Sequence, residues 1–207
     1  MHTVNTIQPA SSTRTRRWRV IDIVVASVLG VASGLIFFVW DTAYVGPSAL
    51  LTPLLPGLQG LLNGGWLFAG VLGALIIRKP GAALYTELLA AVVEALAGNQ
   101  WGGPLTLVAG LVQGLGAEAV VLAFLYRNWR VYVALLAGAG AGLFGAVNDL
   151  ILWYPGSKVG FSVTYVGTSM ISGAVIAGLL SWLVARALAR TGALSRFASG
   201  REAVGRV

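Results

Sequence analysis

Apolar residues fall along this chain in six long blocks, at positions 20–40, 58–77, 80–97, 104–126, 131–153 and 165–189. Each block approaches the ~20 residues that carry an α-helix across a bilayer. Polar or turn-forming corners separate them: DTAYVGPSALLTPLLPG at 41–57, RKPG at 78–81, NQWGGP at 99–104, YRNWR at 126–130 and YPGSKVGFSVT at 154–164. The pattern predicts an all-α integral membrane protein, a compact bundle of six transmembrane helices. Proline at 80 and at 104 stands where it opens a helix in the first turn. The three prolines of 41–57 make a regular span there unfavourable, so this stretch is expected to be an outer loop with a short re-entrant or interfacial piece.

The first block follows TRTRRWR, an arrangement shared with signal peptides. Its ~20 apolar residues exceed a typical signal core and suffice to cross the membrane, so a retained first helix is expected. Ala26, Gly30 and Gly34 stand four apart on it, a small-residue stripe suited to close contact with another helix or a partner subunit. Residues 1–15 are polar and without apolar period, which predicts a disordered tail. The domain reading is a basic amino-terminal tail at 1–18, a membrane domain at 19–190 and a cytoplasmic carboxyl-terminal tail at 191–207.

Composition narrows the function. Hydrophobic residues make up 57% of the 207 and charged residues only 10%, against about 25% charged in a soluble domain. The 28 glycines suit helices in close backbone contact within lipid. With no cysteine, thiolate and iron–sulfur chemistry are excluded, and the only histidine is His2 in the tail. No metal or cofactor is expected. If the amino terminus is cytoplasmic, thirteen of the fourteen Lys and Arg residues fall on the inner side and only Lys158 falls outside. That split orients the bundle with both termini in the cytoplasm. It accounts for the net charge of +7 through contacts with anionic lipid, without nucleic acid.

Three of the seven acidic residues, Glu87, Glu94 and Glu118, lie within the third and fourth blocks. A carboxylate at bilayer depth costs several kcal/mol unless it is paired, protonated or turned to a wet cavity, so these are candidate site residues. Helix rise places Glu87 at ~12 Å and Glu118 at ~14 Å from the inner interface, with Gln113 at ~21 Å and Glu94 at ~22 Å. Glu87 and Glu94 share a helix face, whereas Gln113 and Glu118 lie about 140° apart, so one of the latter two is expected to be structural. Glu94 and Gln113 are the favoured ligand contacts, near Asn99, Gln100 and Trp101. Glu87 and Glu118 also suit a deep pair or a bond to backbone that holds helices together. Asp149, near the outer mouth, is a candidate for attracting a cation. Trp40, Trp66, Trp153, Tyr154 and Tyr165 are expected to be interfacial anchors more than ligand platforms.

Carboxylates, amides and tryptophan facing outward together favour a flat, nitrogen-bearing ligand that is cationic or rich in hydrogen-bond donors. The chain lacks a GxxxxGK[ST] phosphate loop and so does not use ATP in that way. Nor does it show the paired half-helices of ion-coupled carriers.

IIRKPGAAL at 76–84, TELLAAVVEALAGN at 86–99, GLVQGLGAEAV at 110–120 and TGAL at 191–194 resemble the substrate-binding S components of energy-coupling factor vitamin transporters, in the YkoE-type thiamine/hydroxymethylpyrimidine subgroup. The resemblance runs from Trp18 to Leu194. It implies a six-helix S component of a bacterial-type cell membrane that binds thiamine or its pyrimidine precursor from outside. It further implies a transmembrane coupling subunit and a pair of cytosolic ATPases as partners. Family members carry an Ala-xxx-Ala motif on the first helix at the coupling-subunit contact, and this chain has Ala26-xxx-Gly30. A small oligomeric channel or facilitator and a non-transporting membrane assembly subunit are the other classes that fit the composition.

Overall fold

The structure, a computed structural model, describes residues 16–200, and the regular structure among them is entirely helical. The expected disordered tail at 1–15, with His2, lies outside the described residues, as do 201–207.

Helix α1 spans Val20–Ala43. Its third residue, Asp22, turns back to accept the backbone N–H of Arg19 at 2.7 Å, satisfying one donor that a helix start leaves open. The same fully buried carboxylate accepts the Arg19 guanidinium at 2.8 Å and the ammonium of Lys79. Arg19 and Lys79 thus tie the beginning of α1 to the corner before α4. Phe197 packs under this end, with the Arg19 guanidinium 5.8 Å from its ring centre, and Ser199 donates to Ile76 O at 3.1 Å.

Where a loop is expected at 41–57, α1 continues through Asp41, and a short α2, Val45–Leu51, follows. The second apolar block is divided into a 3₁₀ helix, Leu58–Trp66, and α3, Phe68–Ile77, bent by 42°. Glycine makes the 3₁₀ segment possible in its place. A side chain at Gly64 would stand 2.6 Å from Ser172 Oγ, so only a bare backbone fits against the last helix. Ser172 in turn serves the tightened backbone, receiving Gly64 N–H at 3.0 Å and donating to Leu61 O. Helix α3 is buried from Ala69 to Ile77 and forms the centre of the bundle.

Around it stand α4, Ala82–Ala97, α5, Pro104–Ala123, and α6, Val131–Leu152. The last helix runs as α7, Val159–Ser172, through a π-helical stretch, Gly173–Leu180, into α8, Ser181–Arg190. It begins six residues before the expected span, taking in part of the YPGSKVGFSVT corner. Backbones approach closely across the helix pairs: a side chain at Gly116 of α5 would come within 2.5 Å of Gly140 O on α6. The stripe of Ala26, Gly30 and Gly34 is used within the chain. It faces α4, and a side chain at Gly34 would stand 2.5 Å from Ala90 O and 2.6 Å from Val93 Cβ.

Four of these helices, with the 159–190 run taken as one, are long and apolar enough to cross a membrane, and the bent 58–77 pair makes a fifth. At 16 residues α4 is shorter, about 24 Å by helix rise against a ~30 Å hydrocarbon core. The chain is a multi-pass membrane protein.

Candidate functional site

At the end of the bundle opposite Arg19 and Lys79, the elements part around a cavity of about 170 Å³. Helix α1 and its end bring Phe37 and Tyr44, the 3₁₀ segment Asn63 and Trp66, and α4 Ala91 and Glu94. The corner after α4 contributes Trp101, α5 contributes Thr106, Gly110 and Gln113, and α6 and its end contribute Asp149, Trp153 and Tyr154, with Tyr165 from α7. The corner is shaped by backbone: Gly98 ends α4 at φ 97°, Gly102 and Gly103 carry φ of 81° and 43°, and Pro104 then starts α5. This sharp reversal swings Trp101 over the cavity.

Two polar groups of residues face one another across an aromatic middle. On one side, Asn99 donates to Glu94 at 3.3 Å and to Thr106 Oγ1 at 2.7 Å, fixing the Glu94 carboxylate between α4 and α5. Asp41 lies next to Glu94 and accepts the indole N–H of both Trp66 and Trp101. On the other side, Tyr165 donates to Asp149 at 2.7 Å, and the Asn63 amide lies 2.9 Å from Tyr165 Oη and Ser169 Oγ. Between them Tyr44, Trp66, Trp101 and Trp153 meet edge to face with centroids 5.1 to 6.1 Å apart. The Tyr154 phenol, in the loop beyond α6, is pushed above its ordinary pKa by burial. Gln113 makes no hydrogen bond among the described residues, and its amide opens on the cavity.

The sequence-derived residues divide. Glu94, Gln113, Trp101 and Asp149 line the cavity, and Asn99 holds Glu94 from behind. Glu87 and Glu118 do not reach it, and they do not pair with each other. Glu87 is 1% exposed and accepts Gly70 N–H at 2.5 Å, at the start of α3, while its other oxygen has no partner. Glu118 accepts the N–H of Gly81 at 2.6 Å and of Ala83 at 2.9 Å, with the Tyr126 hydroxyl at 2.7 Å. It closes the open donors at the start of α4. Trp66, Trp153, Tyr154 and Tyr165, expected as interfacial anchors, are walls of the cavity. Asp41 and Asn63 were not singled out by sequence. The available signal for Asp41 was an acid within two aromatic neighbours, Trp40 and Tyr44.

Such a cavity accepts hydrogen bonds at both ends and offers ring faces between them, which suits a flat, nitrogen-bearing ligand held without covalent chemistry. Fold and cavity together define a ligand-binding integral membrane protein of the transport class.

Known proteins narrow the class. The family model described as "ABC-type cobalt transport system, permease component" matches residues 21–144. A protein of Bacillus subtilis (strain 168) named "Putative HMP/thiamine permease protein YkoE" is 37% identical over 188 residues, covering 90% of this chain and 92% of that protein. A solved structure titled "Crystal structure of an S-component of ECF transporter" superposes with a TM-score of 0.83 at 35% identity, covering 92% of this chain and 95% of that one. The chain belongs to the S components of energy-coupling factor transporters, in the YkoE family.

Proposed function

We propose that this S component binds thiamine or its hydroxymethylpyrimidine precursor and delivers it for import across a bacterial-type cell membrane. The observation that carries the reading is the pairing of Glu94 with an unpartnered Gln113 on one indole-walled cavity. A carboxylate and an amide are complementary to the donor and acceptor edges of an aminopyrimidine, and the tryptophan faces suit a cationic thiazolium. The name carried by the Bacillus relative supports the same ligands.

The bundle crosses the membrane six times, with the bent 58–77 pair as the second crossing and the short α4 as the third. Both termini are cytoplasmic, following the charge split, so the cavity opens to the outside. Residues 19–190 form the membrane domain. Energy comes from a transmembrane coupling subunit and two cytosolic ATPases, and this chain is not itself an enzyme.

Calorimetry on the detergent-purified chain tests the reading. Saturable one-to-one binding of thiamine or hydroxymethylpyrimidine, without ATP hydrolysis by the chain alone, is the expected result. Absence of binding by both ligands overturns it.

A further inference from the structure

Asp41 stands in the last turn of α1, 5% exposed, behind the cavity wall. Its Oδ1 accepts two indole N–H groups, from Trp66 at 3.0 Å and from Trp101 at 2.7 Å. These rings lie 6.0 Å apart at 86° and both line the cavity. The Asp41 carbonyl also takes Gln100 Nε2 at 3.1 Å, which pins the corner carrying Trp101 to the end of α1. Oδ2 is buried and takes no N–H, and the Asp41 carboxyl group stands within hydrogen-bonding reach of Glu94.

An indole has one donor. With both donors spent on Asp41, Trp66 and Trp101 present the ligand with ring surface and not with N–H. Ring faces attract cations. A carboxylate at the N–H edge adds its own field, which is weakly screened behind apolar walls. Asp41 and Glu94 also place two carboxyl groups side by side in one poorly hydrated region, where a positive ligand favours the ionised form of the pair. A neutral ligand of the same shape gains none of this. If Asp41 served only to hold the rings, any acceptor of the same shape would do as well.

We propose that Asp41 is a specificity-determining positioning residue: it locks Trp66 and Trp101 and, as a charge behind them, makes the cavity prefer a cationic ligand over a neutral isostere. The proposal rests on the thiamine reading and deepens it by seating the thiazolium against the Trp66 and Trp101 rings.

The test compares thiamine with 3-deazathiamine, whose charged ring nitrogen is replaced by carbon, by calorimetry on the purified chain and on Asp41→Asn. Asparagine keeps an oxygen for both indoles and removes the charge. The wild type is expected to prefer thiamine by about tenfold or more, and Asp41→Asn to lose about tenfold for thiamine while 3-deazathiamine stays within about twofold. A variant that weakens both ligands in equal proportion, or neither, overturns the proposal. Asp41→Glu carries the test if the asparagine variant does not fold: it keeps the charge and should keep a preference above about threefold, and loss of that preference overturns the proposal. A wild type that binds both ligands equally removes the role of Asp41 and leaves the thiamine reading standing. A wild type that binds neither removes both.

Discussion

Glu118 on α5 accepts the backbone N–H of Ala83, in the first turn of α4, at 2.9 Å. The same carboxylate takes Gly81 N–H and the Tyr126 hydroxyl, so one acidic side chain closes the start of a helix that supplies two walls of the cavity. Glu118→Ala leaves these donors open in a site that is mostly withdrawn from solvent. The expected cost is about 3 kcal/mol, or roughly 6–12 °C in melting temperature for a chain of this size. Thiamine affinity of the remaining folded protein should stay within about threefold, because Glu118 does not line the cavity. A variant that melts like the wild type but fails to bind contradicts the capping role.

Glu94 should behave in the opposite way. Glu94→Gln removes a charge-assisted acceptor from the ligand and is expected to weaken thiamine binding by about ten- to a hundredfold. The empty protein should melt no lower than the wild type, since the glutamine amide can still donate to the neighbouring Asp41 carboxylate. Measuring affinity and melting together for positions 94 and 118 separates a ligand contact from a structural acceptor.

Gly145 on α6 is expected to tune the cavity from behind. A Cβ there would stand 3.1 Å from Gln113 Cγ, and its three nearest neighbours would all be atoms of that flexible side chain. Gly145→Ala should therefore displace the Gln113 amide and lower affinity by roughly three- to tenfold, with a stability change below about 1 kcal/mol. Unchanged affinity would mean that Gln113 adjusts without touching the ligand.

Orientation can be read by labelling, because the chain has no cysteine of its own. A cysteine replacing exposed Lys158 should react with an impermeant thiol reagent in intact cells, and one replacing exposed Arg127 should react only after lysis. The reverse pattern inverts the bundle and puts the cavity on the cytoplasmic side. Lys79 is unsuitable for this test, since its ammonium is engaged by buried Asp22.

Much of this protein was legible in one dimension because the bilayer acts along one dimension. Hydropathy blocks located α1, α4, α5 and α6 to within three residues, and depth counted from the terminal cations put Glu94 and Gln113 in one layer, where the structure has them facing a common cavity. Depth left open which way a side chain turns about its helix axis. Glu87 and Glu94 share a face by the helical period, yet one lies against the start of α3 and the other at the cavity, because α3 begins only after the 42° bend.

That bend was beyond the reach of hydropathy: an apolar block scores alike as a straight helix or as a 3₁₀ segment joined to an α-helix. Its cause is the fit of Gly60, Gly64 and Gly65 against Tyr165, Ser172 and Trp40, residues far from them in the chain. Asp41 was hidden for a related reason. Its partners Trp66 and Trp101 lie 25 and 60 positions away, and an acid at the edge of an apolar run reads as solvated until those indoles are seen to turn toward it. The sequence by itself determined the solvent and the apolar blocks, since transfer free energy depends on composition along the chain. Rotation of each helix, the bend before α3 and the closing of the indole wall over Asp41 were decided by packing between distant segments, which exists only once the bundle has formed.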